Sequence, residues 1–222
     1  MHLALGQAPI ILGDIGKNLE IMDNLIKNAQ EKCNGKLDLI AFPELFITGY
    51  NLRDNYSKVA EEIPSSSKAQ KGIINLSKKY NVHIATGIVE KSGKSLFNSA
   101  IMIGPDGYIG HYRKQFLPNF GPFEEKLFFG EGNQTPVFET PFGKIGVQIC
   151  YDLFFPETSM GLARNGAELI LNLAASPTTS RPLFHRVIPA RAIETTCFYA
   201  YSNNVGTQGS LTFAGESVIV DP

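Results

Sequence analysis

The chain has 222 residues and a formal net charge of −1, with 43% hydrophobic and 18% charged residues, which is typical of a globular protein with a buried core. The near-neutral charge gives no reason to expect nucleic acid or an anionic membrane surface as a partner. No apolar run is long enough to span a bilayer, so a membrane protein is not expected.

The first part of the chain predicts strands and helices in alternation. Residues 1–10 form a predicted strand, and Asp14 is placed to cap the helix that follows it. Short apolar runs at 37–42 and 82–89 predict buried strands, with a helix over 67–80 between them. The first predicted helix carries apolar residues at helical spacing: Leu19, Met22, Ile26 and Ala29.

A predicted hairpin separates this part from the second half. Residues 97–104 and 107–114 flank the turn sequence Pro-Asp-Gly, which favours a tight reversal. Because hairpins are mixed with strand–helix alternation, the pattern predicts a layered α/β fold with a mixed sheet. Further strands are predicted at 137–143, 144–150, 167–174 and 197–204, with a final strand pair around 212–221. Helices are predicted near 157–165 and 183–195.

Three chemically reactive residues follow predicted strands. Glu44 comes after the run ending at Pro43, Lys114 after the second hairpin strand, and Cys150 after "IGVQI". Ligands gather at strand ends in layered α/β folds, so we expect the three side chains to meet there. A carboxylate would then serve as general base, a thiolate as nucleophile and an ammonium as oxyanion stabiliser.

Each of the three residues also has a structural interpretation. Glu44 is compatible with a solvated loop acid, Lys114 with a surface charge beside Arg113, and Cys150 with core packing. Sequence separation carries no information about distance in space, so the residue pattern alone leaves both interpretations open.

Three longer stretches resemble motifs of the nitrilase superfamily of carbon–nitrogen hydrolases, with its Glu-Lys-Cys triad. They are "FPELFITGY", "YRKQFLPNFGPFEEKLFFGEG" and "GKIGVQICYDLFFPE", in the family's order. The resemblance assigns Glu44, Lys114 and Cys150 as catalytic and places Cys150 on a nucleophile elbow. It also assigns a supporting role to Glu125, in preference to Glu124, and an oxyanion contact to the Tyr151 N–H.

The resemblance also implies the architecture and the requirements of the protein. It implies an α/β fold with a four-layer α-β-β-α sandwich and mixed sheets, formed by residues 1–222 as one domain. Members of the family commonly form homodimers and often carry a C-terminal tail, so we expect a homodimer or higher homo-oligomer and a sequence that lacks this tail. No metal or organic cofactor is expected.

The residues after Cys150 narrow the expected reaction. Tyr151-Asp152 is similar to the dipeptide of amidases and carbamoylases, so the expected substrate is a small amide or an N-carbamoyl compound. A glutaminase module that supplies ammonia to a synthetase, as in glutamine-dependent NAD synthetase, is one alternative. A non-catalytic binding member of the family is another. A papain-like protease would need a histidine paired with Cys150, and no histidine has a suitable context.

The remaining expectations concern the surroundings of the site and the compartment. Residues 51–62 and 176–186 are expected to line the entrance, and Asp152 to cap the helix after Cys150. Arg181 fits either a substrate-carboxylate contact or a solvated loop residue. Three widely spaced cysteines and the lack of a signal-peptide pattern predict reduced thiols and a cytoplasmic protein.

Overall fold

The computed structural model describes residues 1–222, which form two five-stranded sheets and a separate two-stranded hairpin. In the first sheet the strands lie in chain order, parallel for the first three and antiparallel for the last three. Its strands are β1 (Leu3–Leu5), β2 (Leu39–Ala41), β3 (His83–Ser92), β4 (Ser95–Gly104) and β5 (Gly107–Arg113).

The second sheet has the order β12-β9-β8-β7-β6, with parallel pairing at its centre and an antiparallel strand at each edge. The separate hairpin is formed by β10 and β11. These strands are β6 (Val137–Thr140), β7 (Gly143–Ile149), β8 (Leu169–Ala174), β9 (Phe198–Asn203), β10 (Val205–Gln208), β11 (Leu211–Ala214) and β12 (Val218–Val220).

Six α-helices complete the fold: α1 (Ile15–Lys32), α2 (Tyr56–Val59), α3 (Lys68–Tyr80), α4 (Glu125–Phe128), α5 (Pro156–Arg164) and α6 (Arg181–Thr195). The predicted cap of α1 is confirmed, because the Asp14 carboxylate accepts the Lys17 N–H at 3.0 Å. No helix combines the length and apolarity that a bilayer crossing requires.

The helices and sheets form a layered core. Apolar residues of α1 and α3, such as Met22 and Ile73, pack against Ile40 and Ile84 on one face of the first sheet. The other face meets the second sheet, whose far side is covered by α5 and α6. The α/β fold with mixed sheets is therefore as expected. Each fully buried aliphatic side chain contributes about 1.5–3 kcal/mol to this packing.

The predicted pairing at the end of the chain is wrong. Strands β11 and β12 do not pair with each other; β11 pairs with β10, and β12 pairs antiparallel with β9. Gly215 and Glu216 between them both have positive φ, which sends the chain away from the hairpin and back to the sheet edge. Local sequence patterns specify a strand but not its partner.

Candidate active site

Glu44, Lys114 and Cys150 meet between the two sheets. The Lys114 Nζ lies 2.7 Å from Glu44 Oε1, although 70 residues separate them in the chain. Glu44 is 0% exposed, Lys114 1% and Cys150 8%, so none of them is a surface residue. The pKa of the Cys150 thiol responds to burial and to both charged groups, since burial and the Glu44 carboxylate raise it and the Lys114 ammonium lowers it. The structure thus brings together the three residues that the sequence singled out.

The Glu44 carboxylate is fixed by groups from three separate segments. Its Oε1 accepts hydrogen bonds from Lys114 and from Asn98 Nδ2 at 2.7 Å, and its Oε2 accepts the Ala175 N–H at 2.8 Å. The turn carrying Glu44 lies directly against Gly87 of β3, where a Cβ would come within 2.0 Å of the Leu45 nitrogen. Glycine at 87 is therefore required for Glu44 to reach this position.

Cys150 occupies a strained turn at the end of β7. Its φ is 47°, in the left-handed region that non-glycine residues rarely adopt, and a short 3₁₀ turn over Cys150–Phe154 follows. Such geometry is that of a nucleophile elbow. Burial, together with the nearby Glu44 charge, holds the pKa of the Cys150 thiol well above its usual range. The resting thiol is therefore protonated and needs a base.

Glu125 is the acidic residue of the "FEEK" sequence that joins this cluster. It lies at the start of α4, with Oε1 2.8 Å from Lys114 Nζ and in a short hydrogen bond with the Tyr50 hydroxyl. Glu124 points outward and pairs with Arg53 at 2.8 Å. Burial by itself would lower the pKa of Lys114, but the two carboxylates around the ammonium raise it above its usual value. Lys114 therefore stays charged.

The cluster opens into a cavity of about 330 Å³. Cys150, Glu125, Tyr50 and Tyr151 lie in its wall. Five residues of the predicted segment 176–186 line the cavity, whereas none of 51–62 does; the five are Ser176, Pro177, Ser180, Leu183 and Phe184. A larger groove of about 910 Å³ near Cys197 contains none of the predicted site residues. No histidine lies in the wall of the Cys150 cavity.

Comparisons with known proteins identify the family to which the chain belongs. The sequence model of the family described as Carbon-nitrogen hydrolase matches residues 2–222. The chain belongs to the nitrilase superfamily of carbon–nitrogen hydrolases. It is 36% identical over 209 residues to a nitrilase of Pyrococcus abyssi, covering 93% of this chain and 76% of that protein.

Two further relatives of this carbon–nitrogen hydrolase bear on its function. An amidase of the nitrilase superfamily from Nesterenkonia AN1 superposes with a TM-score of 0.89 at 26% identity, over 100% of this chain and 83% of that one. A glutamine-dependent NAD(+) synthetase of Aquifex aeolicus is 32% identical over 225 residues, covering 100% of this chain but 39% of that protein.

Asp152 of this hydrolase does not have the role that its sequence position predicts. Instead of capping the following helix, its buried carboxylate accepts the Ile149, Gln115 and Phe116 N–H groups at 3.0, 3.2 and 2.9 Å. It also accepts the Tyr112 hydroxyl at 2.6 Å. Asp152 thereby ties the segment after Lys114 to the cysteine elbow. Long-range partners of this kind leave no local sequence signal.

Removing this carboxylate is expected to be strongly destabilising. In Asp152→Ala three backbone donors and one hydroxyl lose their partner in a buried position, so the free energy of unfolding should fall by about 3–5 kcal/mol. Tyr112→Phe, which removes one of these hydrogen bonds, should cost about 1 kcal/mol. Chemical denaturation of both variants measures the difference. Equal losses would show that Asp152 does not organise this junction.

The pH dependence of stability should report the burial of Glu125. Burial raises the pKa of Glu125 to about 7, against the opposing charge of Lys114. The folded state then holds this proton more tightly than the unfolded chain, so the free energy of unfolding falls as pH rises from about 4.5 to 7. Glu125→Gln cannot titrate at this position, so its free energy of unfolding should fall by up to about 3 kcal/mol less than that of wild type over this pH range.

Denaturation curves at pH 5 and pH 7.5 measure this effect. Glu124→Gln is the matched control, because the neighbouring carboxylate is partly exposed and paired with Arg53. Asp152, whose pKa burial raises to about 6, contributes equally to all three proteins and cancels in the comparison. Parallel pH profiles for wild type and Glu125→Gln would contradict the assignment.

Proposed function

We propose that the chain hydrolyses a small amide or N-carbamoyl compound through a thioester on Cys150. The observation that carries this proposal is the buried Glu44–Lys114 pair directly behind Cys150, which lies in the wall of one small cavity. In a structure of the Nesterenkonia amidase, acrylamide has added at the active-site cysteine, which supports the same role for Cys150 here. We further propose that residues 1–222 act as one domain, since both sheets contribute to the site.

The first half of the proposed reaction forms the thioester. Glu44 takes the proton from Cys150 Sγ, and the thiolate attacks the carbonyl carbon of the substrate. The Lys114 ammonium has three N–H donors and uses two of them on Glu44 and Glu125. The third, together with the Tyr151 N–H, stabilises the oxyanion. The C–N bond breaks as Glu44 returns its proton to the departing ammonia or amine.

The second half releases the acid. Glu44 takes a proton from water, the resulting hydroxide attacks the thioester carbon, and the C–S bond breaks. The Cys150 sulfur recovers the proton, and the carboxylic acid leaves. The raised pKa of the thiol supports a base-assisted attack, because almost no thiolate exists at rest.

Intact-protein mass spectrometry with a panel of amides, N-carbamoyl amino acids, nitriles and glutamine tests this proposal, with ammonia release measured in parallel. Wild type should carry an acyl adduct that Cys150→Ala lacks. Ammonia release by Cys150→Ala at the wild-type rate would overturn the thioester route. Absence of both adduct and ammonia with every compound would favour the non-catalytic alternative.

A glutaminase function is the second candidate. The alignment of the whole chain with 39% of the Aquifex NAD(+) synthetase supports it. A glutaminase must also bind the α-amino and α-carboxylate groups of glutamine, so the residues that line the cavity would have to supply partners for both charges.

A further inference from the structure

The wall of the Cys150 cavity is nearly free of charge. None of its thirteen lining residues is a lysine, arginine or histidine, and its one ionisable carboxyl group belongs to Glu125. Lys114 lies behind this wall, bonded to Glu44 and Glu125. A carboxylate at the far end of a bound substrate would therefore meet no cation in this wall.

Three cations close in sequence to the wall are engaged by carboxylates of the protein. Arg181 and His185, on the helix that carries Leu183 and Phe184, both contact the Glu216 carboxylate. Arg53 pairs with Glu124, outside the cavity. Of the two interpretations considered for Arg181, the structure favours the exposed residue, since its side chain pairs with Glu216 at the surface and does not line the cavity.

Six of the thirteen residues in the wall are aromatic. Consecutive rings lie 4.9–6.4 Å apart, with interplanar angles of 52–82°, in an arc that begins beside Glu125 and ends on α6. Leu183 and Phe120 continue this surface to the mouth, where they are 52% and 54% exposed. The rings of the arc belong, in order, to Tyr50, Phe123, Phe120, Tyr151, Phe154 and Phe184.

Two buried polar atoms beside Cys150 have no partner. Ser176 Oγ and Glu125 Oε2 belong to residues that are 1% and 4% exposed, and neither atom has a hydrogen-bond partner of good geometry within the protein. Both residues line the cavity. Buried polar atoms without partners are costly, and a bound carboxamide would supply both a donor and an acceptor to them.

We infer that the substrate is an uncharged primary amide with an apolar acyl group, whose carboxamide contacts Ser176 and Glu125 while its acyl chain lies against the aromatic arc. This inference rests on the proposed amidase function and narrows it. Amides that carry a carboxylate at the far end of the acyl chain, glutamine among them, are excluded because the wall offers that carboxylate no partner.

A pair of amides of nearly equal shape tests the inference. 5-Methylhexanamide ends in an isopropyl group where glutaramate ends in a carboxylate, and the two are otherwise the same. Binding to Cys150→Ala, measured by calorimetry, should favour 5-methylhexanamide by at least about 100-fold. Wild type should show a similar preference in kcat/KM, measured by ammonia release. Equal or tighter binding of glutaramate would overturn the inference and leave the amidase function standing.

The two proposals can fail separately. If 5-methylhexanamide binds with the expected preference but wild type releases no ammonia from any amide, the hydrolytic function fails and the recognition stands. Ser176→Ala should weaken binding of both amides by about tenfold. Unchanged binding would remove Ser176 from the assignment.

A cation placed at the mouth provides an independent check. Leu183→Arg should reduce the ratio of the affinities for 5-methylhexanamide and glutaramate by at least about tenfold, because the new guanidinium gives the glutaramate carboxylate an ionic partner. Leu127→Arg is the matched control, since Leu127 is 70% exposed on α4 and lies outside this cavity. If both variants change the affinity ratio of the two amides equally, the change reflects the net charge of the protein. The acyl chain would then not lie beside Leu183, and the inference would be wrong.

Discussion

Replacing Glu44 by glutamine should lower kcat for amide hydrolysis by about 10³-fold, within the range expected for loss of a general base. The introduced carboxamide cannot accept the Cys150 proton, and the thiol is held protonated by burial and by the charges around it. The KM should change little, because Glu44 does not line the cavity that holds the substrate. Alkylation of Cys150 by iodoacetamide should slow in parallel.

A matched substitution separates this effect from damage to the fold. Glu90 is also a buried carboxylate, 1% exposed, but it contacts Arg113 and Ser99 instead of Lys114. Glu90→Gln should lose stability and retain kcat within a few-fold. Steady-state ammonia release by both variants is the measurement. A Glu44→Gln enzyme with kcat within tenfold of wild type would exclude Glu44 as the base.

Replacing Lys114 by methionine should abolish activity and strongly destabilise the fold. Its ammonium lies 2.7 Å from Glu44 Oε1 and 2.8 Å from Glu125 Oε1, and all three side chains are almost fully buried. Removing the cation leaves two carboxylates facing each other without compensation, so the free energy of unfolding should fall by about 3–5 kcal/mol at pH 8. Hydrolytic activity should be lost as well, because the oxyanion loses its charged partner.

The charge balance itself can be tested with a second variant. Adding Glu125→Gln to Lys114→Met removes one of the uncompensated carboxylates, so part of the stability should return without any return of activity. Lowering the pH should also stabilise Lys114→Met, because protonation relieves the repulsion between the carboxylates. Denaturation at pH 5.5 and pH 8 measures both effects. A Lys114→Met variant as stable as wild type at pH 8 would contradict this account of the cluster.

The sequence of this chain determined most of the local structure. The apolar runs, the Asp14 cap and the Pro-Asp-Gly turn predicted strands, a helix start and a hairpin that the structure contains. These features depend on residues within a few positions of each other, so local spacing is sufficient to specify them. The resemblance to family motifs added a prediction of the site residues, namely Glu44, Lys114, Cys150 and Glu125.

Only the tertiary structure decided how these residues meet. The hydrogen bonds that fix Glu44 come from Asn98, Lys114 and Ala175, between 54 and 131 residues away. The contacts of Asp152 with the segment after Lys114, and the pairing of β12 with β9, also join residues that are not neighbours in the chain. The same is true of the aromatic wall and of the unpartnered Ser176 hydroxyl, which together point to the substrate class. Each depends on how the two sheets pack against each other, and spacing along the chain does not encode that packing.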